Sequence, residues 1–456
     1  MRPLSIRANR NLVELALVAL SLSSHGWAAP RQGPRSASLG SRSLQPKPQQ
    51  SSSPSADALA PLLAQAQDAL DHKDFAAAIP LLEKIASAKP SDALPHFELG
   101  FAYSGLKKNP EAIAEYRKAI SLDPNLAPAY LNLGIALLDS DPAVAAESLR
   151  RATELLPGQD RPIYLLGEAL ERSGKRSESI EQYRAAAALV PKDDAVLFAL
   201  ARTLLADGQT SAAESDFRQL LALRPDSAPG RLGLAESLLR QQKTAEAVDL
   251  LVDYLQKVPD DRHARFERAV ALQDLNRFDE SLRELDRLDQ GEVPAAESLK
   301  LRGSIYLQQK KWTEANSSFE RVLSASPDDA QLHLWMGRTK MELHDYPAAE
   351  KELLRALELA PANSDALRQL VGVYYLAAQY EATLSTLDLL AQRETPAPLD
   401  WFFRALSCDK LRRKPEAAAA YQKFLELDRG ERADQEFQAQ ARLKLLLREL
   451  GRTSRK

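Results

Sequence analysis

Any metal centre or nucleophilic site in this 456-residue chain would have to be built from six histidines, one cysteine and a large stock of carboxylates. A helical zinc site sets two imidazoles four residues apart on one face, or pairs imidazoles with a cysteine motif. His25, His72, His96, His263, His333 and His344 never fall at that spacing, and the one thiol, Cys408, belongs to no such motif. A single cysteine makes no internal disulfide, so it is expected to be a small core filler. No phosphate-cradling loop, dinucleotide-binding glycine turn or serine elbow occurs. Glu and Asp at exposed helix positions read as a solvated face rather than an acid and base. Asn316-Ser317-Ser318 has the form of a glycosylation sequon but falls in a helical stretch. The expectation is a chain with no catalytic residues, no metal site and no cofactor.

Charge narrows the partners. Seven basic residues and one acidic residue lie in residues 1–56, so a whole-chain charge of −3 leaves −9 on residues 57–456. An acidic body lacks the electrostatic footprint that gathers phosphates, which argues against nucleic acid. Arg2, Arg7 and Arg10, the apolar run Leu15–Leu22 and the small-residue stretch Gly26-Trp27-Ala28-Ala29 have the layout of a secretory signal over residues 1–29. The expected location is therefore periplasmic or secreted, with a cytoplasmic protein as the alternative. The apolar run is too short to cross a bilayer and no later segment is longer, so no membrane span is expected. Residues 30–58, rich in Ser, Pro, Gln and Arg, read as a disordered linker.

Beyond the linker, helix formers dominate and prolines recur at 90, 124, 157, 191, 225, 259, 327 and 361, an interval of 34 with one step of 33 and one doubled. In residues 93–126, Gly100 and Ala112 are small where two antiparallel helices approach closely. Leu99, Tyr103 and Tyr116 fill the seam, and Pro124 ends the unit. Asn109 before Pro110 and Asp141 before Pro142 are read as caps of second helices. The second-helix small place recurs as Ala78, Ala112, Ala145, Ser179, Ala213, Ala247, Ser281, Ala315, Ala349, Thr383 and Ala417. The first-helix small place is Ala66, Gly100, Gly134, Gly167, Ala201, Ala235, Ala269, Gly303, Gly337 and Ala405, with bulky Val371 in the tenth unit predicting a local opening. The third unit is one residue short in its turn, and residues 288–296 lose the usual proline.

This pattern resembles the tetratricopeptide repeat. The resemblance covers residues 59–431 as eleven units: 59–92, 93–126, 127–159, 160–193, 194–227, 228–261, 262–295, 296–329, 330–363, 364–397 and 398–431. It implies an all-α, right-handed α-solenoid of helix-turn-helix repeats. Residues 432–450 are read as a solvating capping helix and 451–456 as a basic tail.

The resemblance also places a concave lining on the first helix, at the second, fifth, ninth and twelfth places of each unit. The fifth place holds Leu63, Phe97, Leu131, Tyr164, Phe198, Leu232 and Phe266, then Lys300, Leu334, Arg368 and Phe402. These apolar and aromatic residues either pack within the array or seat a peptide or helix. Lys300, Arg338 and Arg368 set three cations along one wall for a carboxylate, with Glu297 and Asp365 near enough to neutralise them. The chaperone-tail clamp of some family members is not reproduced, because Lys300 is followed by Ser304. The asparagine ladder of others is matched only by Asn132.

The functional expectation is a non-enzymatic scaffold for a protein or peptide ligand. The alternatives are an intracellular assembly or co-chaperone adaptor, and a non-catalytic regulatory or targeting subunit of a separate enzyme. Val371 and the imperfect end units leave room for self-association.

Overall fold

The computed structural model describes residues 56–290 and 295–453, and the export segment and most of the linker lie outside them. Among the described residues there are twenty-three α-helices and no strand. They run as α1 (Ala56–Asp71), α2 (Phe75–Ala88), α3 (Ala93–Gly105), α4 (Asn109–Leu122), α5 (Ala127–Leu137), α6 (Pro142–Leu155), α7 (Asp160–Arg172) and α8 (Arg176–Leu189). There follow α9 (Asp194–Ala206), α10 (Thr210–Leu223), α11 (Ala228–Arg240), α12 (Thr244–Lys257), α13 (Arg262–Asp274), α14 (Phe278–Leu288), α15 (Ala296–Gln308) and α16 (Trp312–Leu323). The series closes with α17 (Ala330–Glu342), α18 (Tyr346–Leu359), α19 (Ser364–Leu376), α20 (Tyr380–Ala391), α21 (Pro398–Lys410), α22 (Lys414–Asp428) and α23 (Ala433–Thr453). The first twenty-two make eleven helical hairpins, and α23 follows the last.

Each hairpin closes on its smallest residues. All eleven second-helix small residues are 0% exposed. Ser179 and Ser281 bring their helices close enough to donate to the carbonyls of Gly167 at 2.7 Å and Ala269 at 2.6 Å. The facing glycines leave room for a large second-helix side chain. A Cβ on Gly100 would meet the Tyr116 ring at 2.6 Å, and one on Gly303 would meet Phe319 at 2.2 Å. A methyl there collides with a buried ring, so a large seam residue demands a small one opposite. The opening expected at Val371 is absent: Val371, Thr383 and Leu387 are all buried, and leucine in place of an aromatic supplies the space.

Turn chemistry repeats with equal regularity. Asp92, Asp193, Ser227, Asp261, Asp329 and Asn363 each cap the first helix of the following hairpin through a side-chain oxygen. Asp141 caps α6 as expected. Asn109 does not cap α4: it lies inside the helix, Lys108 takes the cap position, and no side-chain cap bond forms. Between the two helices of a hairpin the chain passes through positive φ at Lys73, Lys107, Gly174, Gly208, Gln242, Asn276, Lys310, His344, Ala378 and Arg412. The shortened third unit alone lacks that residue.

Where the proline is lost, ion pairs replace it. Asp289 accepts from Ser298 at 2.6 Å and from Arg302 at 3.0 Å, so the end of α14 is tied directly to α15. At the far end α23 buries Ala439 and Leu446 against Tyr421 and Phe424, and Arg442 grips Asp409 with two bonds of 2.6 and 2.7 Å. The cap is less solvating than its charges suggest, because Phe437, Leu445 and Leu447 remain exposed.

Candidate functional site

From α2 to α23 every helix packs on its neighbours in sequence, and Ala66 of α1 shares a buried cluster with Ala78, Leu82 and Leu99; first helices of successive hairpins also touch one another, as α3 with α5, α9 with α11 and α17 with α19. First-helix side chains thus form a row running along the array. At the fifth place, Phe97, Leu131, Tyr164, Phe198, Leu232 and Phe266 are half-buried. Three of them rest on second-helix rings of the same hairpin: Phe97 on Tyr116 with centroids 6.0 Å apart, Tyr164 on Tyr183 at 5.6 Å, and Phe198 on Phe217 at 6.3 Å. Tilted and edge-on contacts at these distances add stability beyond area alone. The rings are fixed in place by the fold and present only their outer edges.

Phe402 departs from this pattern. At 7% exposure it packs on Tyr421 at 6.3 Å and Phe424 at 5.0 Å, and it is core. Two of the three expected cations are also engaged internally. Lys300 donates to the capping carboxylate of Asp329 at 2.6 Å, and Arg368 pairs with Glu394 and lies 3.8 Å from Asp365. Arg338 makes no ion pair among the described residues. The structure therefore brings no three-cation wall together.

Fifth-place reasoning missed two residues that expose more apolar surface than most of the row. Leu94 and Ile135, at a second and a ninth place, are 47% and 36% exposed, and Leu63 is 37% exposed. With half-buried Phe97 and Leu131 they put apolar surface on the first helices of three successive hairpins, α1, α3 and α5. The signal was present as large apolar residues at the other lining places. Farther along the row charge takes over: Arg202 bonds Glu171 at 2.8 Å, and Tyr183 donates to the same carboxylate at 3.2 Å.

Most histidines of the described residues act as structural polar groups. His96 and His333 are buried at equivalent places and pair with Glu115 and Glu352, each at 2.6 Å. In the seventh hairpin the same place is Arg265, which joins Arg268 and Arg287 around buried Glu284 at 2.9, 2.6 and 2.9 Å. His263 is different. Its ring lies 3.4 Å from Glu267 on the same helix, and Glu236 of the preceding hairpin approaches both. Burial, reinforced by the Glu267 carboxylate, pushes the Glu236 carboxyl above the usual carboxylate range. One histidine and two glutamates drawn from successive hairpins carry no fixed spacing in the sequence, so the cluster becomes visible only in the fold.

Family models described as "Tetratricopeptide repeat" match residues 204–263, 306–360, 164–228 and 266–330, and one described as "TPR repeat" matches 105–140. The chain belongs to the tetratricopeptide-repeat family. Among curated relatives, it is 34% identical over 88 residues to Protein CTR9 homolog of Arabidopsis thaliana, covering 19% of this chain and 8% of that protein. It is 28% identical over 174 residues to Superkiller complex protein 3 of Homo sapiens, covering 36% of this chain and 11% of that protein. The matches thus span about a tenth of those relatives' lengths.

Two solved structures are similar. YrrB, described as a TPR protein with an unusual peptide-binding site, aligns at 21% identity and a TM-score of 0.38 over 40% of this chain and 95% of its own. A chain of the APC/C hetero-tetramer Cut9-Hcn1 aligns at 14% identity and a TM-score of 0.38 over 86% of this chain and 97% of its own. Tetratricopeptide repeats mediate protein–protein interactions, and no helix among the described residues is long and apolar enough to cross a membrane.

Proposed function

We propose that this tetratricopeptide-repeat chain is a non-catalytic scaffold that binds a protein or peptide along the first helices of its first three hairpins, after export to the periplasm. The observation that carries the reading is the exposed apolar surface of Leu63, Leu94 and Ile135 beside half-buried Phe97 and Leu131. Apolar side chains held on rigid helices and backed by a packed core are what an anchor residue of a partner docks against, at small entropic cost to the scaffold. Support for export is the layout of Arg2, Arg7 and Arg10, Leu15–Leu22 and Gly26–Ala29.

The test uses the full chain as bait against envelope and cytosolic extracts, beside a Leu94→Glu, Ile135→Glu variant. Each partner identified is then purified and titrated against both. Loss of at least tenfold in affinity with unchanged helicity supports the site, and equal affinity moves binding elsewhere. N-terminal sequencing of the protein from the envelope fraction tests export: a mature start near Ala28 supports it, and an intact Met1 in the cytosol refutes it.

A further inference from the structure

We infer that Glu236, His263 and Glu267 form a binding site for one divalent transition-metal ion of the zinc class. His263 and Glu267 sit one turn apart on α13, which puts both side chains on the same face, and Glu236 reaches them from α11 of the preceding hairpin. One ligand atom from each residue lies within 4.8 Å of the other two. Imidazole nitrogen and carboxylate oxygen bind zinc at about 2.0–2.2 Å, so the glutamate side chains need only turn inward to close the set on an ion.

One oxygen of the cluster is left unsatisfied. Glu267 Oε2 is buried with no hydrogen-bond partner, an arrangement that ordinarily costs stability unless something binds it. Two carboxylates face each other with a single imidazole between them, and the neighbouring charges are committed elsewhere. Arg240, one turn beyond Glu236, donates to the carbonyl of Leu205 at 2.7 Å. Asp261 accepts from Tyr254 at 2.6 Å and caps α13 through the Ala264 amide at 3.0 Å. A divalent cation would balance the two acids and satisfy the orphaned oxygen.

The array provides its own control. The three residues occupy the ninth place of one unit and the second and sixth places of the next. The same places hold Gln67, Leu94 and Glu98 at the first junction, Glu168, Ala195 and Ala199 at the fourth, and Arg338, Asp365 and Gln369 at the ninth. Only the junction between units six and seven assembles three metal-ligating side chains there. The imidazole nitrogen selects the ion, since it suits zinc-like metals, whereas calcium and magnesium take all-oxygen ligand sets. His263 is half exposed, so three protein ligands leave a coordination position open to water on the first-helix face.

The experiment titrates zinc alone into tag-free, chelator-stripped full-length chain against a chromogenic competitor, with metal content measured after dialysis. One ion per chain is expected, with affinity at least tenfold weaker in Glu236→Gln, His263→Ala and Glu267→Gln and unchanged in His72→Ala. Zinc should also raise the melting midpoint of the native chain and not that of Glu236→Gln, which preserves side-chain shape and keeps the test readable if His263→Ala misfolds. Absence of stoichiometric zinc, or equal affinity in all three variants, overturns the site.

Discussion

The fifth place of the repeat does two different jobs in the two parts of the array. Through the seventh unit it is an apolar row backed by the second helices, and three of its rings lean on second-helix rings, as Phe97 does on Tyr116. From the eighth unit onward it alternates between ion pairs that tie neighbouring hairpins, as Lys300 does with Asp329, and outright core, as Phe402 is. A place in a repeat fixes where a side chain begins, while the residue opposite decides whether it faces a neighbour or a partner. The early hairpins keep apolar surface in reserve, and the later ones spend the same place on holding themselves together.

Truncating the later row should cost the most stability. Phe402→Ala removes a buried ring and should lose about 3–5 kcal/mol from the C-terminal hairpins, whereas Phe97→Ala, half-buried, should lose about half as much. Hydrogen exchange resolved by hairpin checks both, and equal losses would erase the distinction. The binding effect should be opposite in place. Leu94→Glu with Ile135→Glu should weaken a partner at least tenfold, about 1.4 kcal/mol or more, with little change in melting. Arg338→Glu in the later row should leave the same titration nearly unchanged, and a comparable loss there would move the site.

A smaller effect concerns a turn of the later hairpins. Ala378 holds φ at 58° with no polar side chain to compensate, so Ala378→Gly should stabilise the tenth hairpin by up to about 1 kcal/mol, read as slower exchange in α19 and α20. A loss would mean that flexibility gained by the unfolded chain outweighs the relieved strain.

A slighter change, at the early row, is one of pH. Burial, with Asp92 adding to it, pushes the Glu98 carboxyl up to about 7 from its ordinary 4.5. The folded chain then holds this proton more tightly than the unfolded one. The stability linked to it is full below pH 4.5 and is lost as pH rises through 7. Glu98→Gln should therefore melt higher than the native chain at pH 8 and no differently at pH 4. The sixth place of the last four units, Leu301, Trp335, Gln369 and Phe403, carries no acid and should contribute no such dependence.

Much of this was legible in the sequence, because a 34-residue period constrains the same contacts many times over. The small residues at the two closing places, the terminal prolines and the shortened third turn each say where helices must approach or stop, and the hairpins follow. Asn109 does not cap because a capping residue before proline is a local signal, while the geometry of the turn is set two residues earlier by Lys107 at positive φ. The exposure of Leu94 and Ile135 and the burial of Phe402 depend on what the next hairpin places opposite, which no single unit reveals. Glu236 meets His263 across a junction of 27 residues, a contact that only stacking creates.

Hydrogen exchange on the full chain, with and without its purified partner, locates the binding surface along the array. Protection concentrated on α1, α3 and α5, with the second helices of those hairpins and α15 to α21 unchanged, is the result predicted here. Protection centred on the second helices or on the C-terminal hairpins would contradict it.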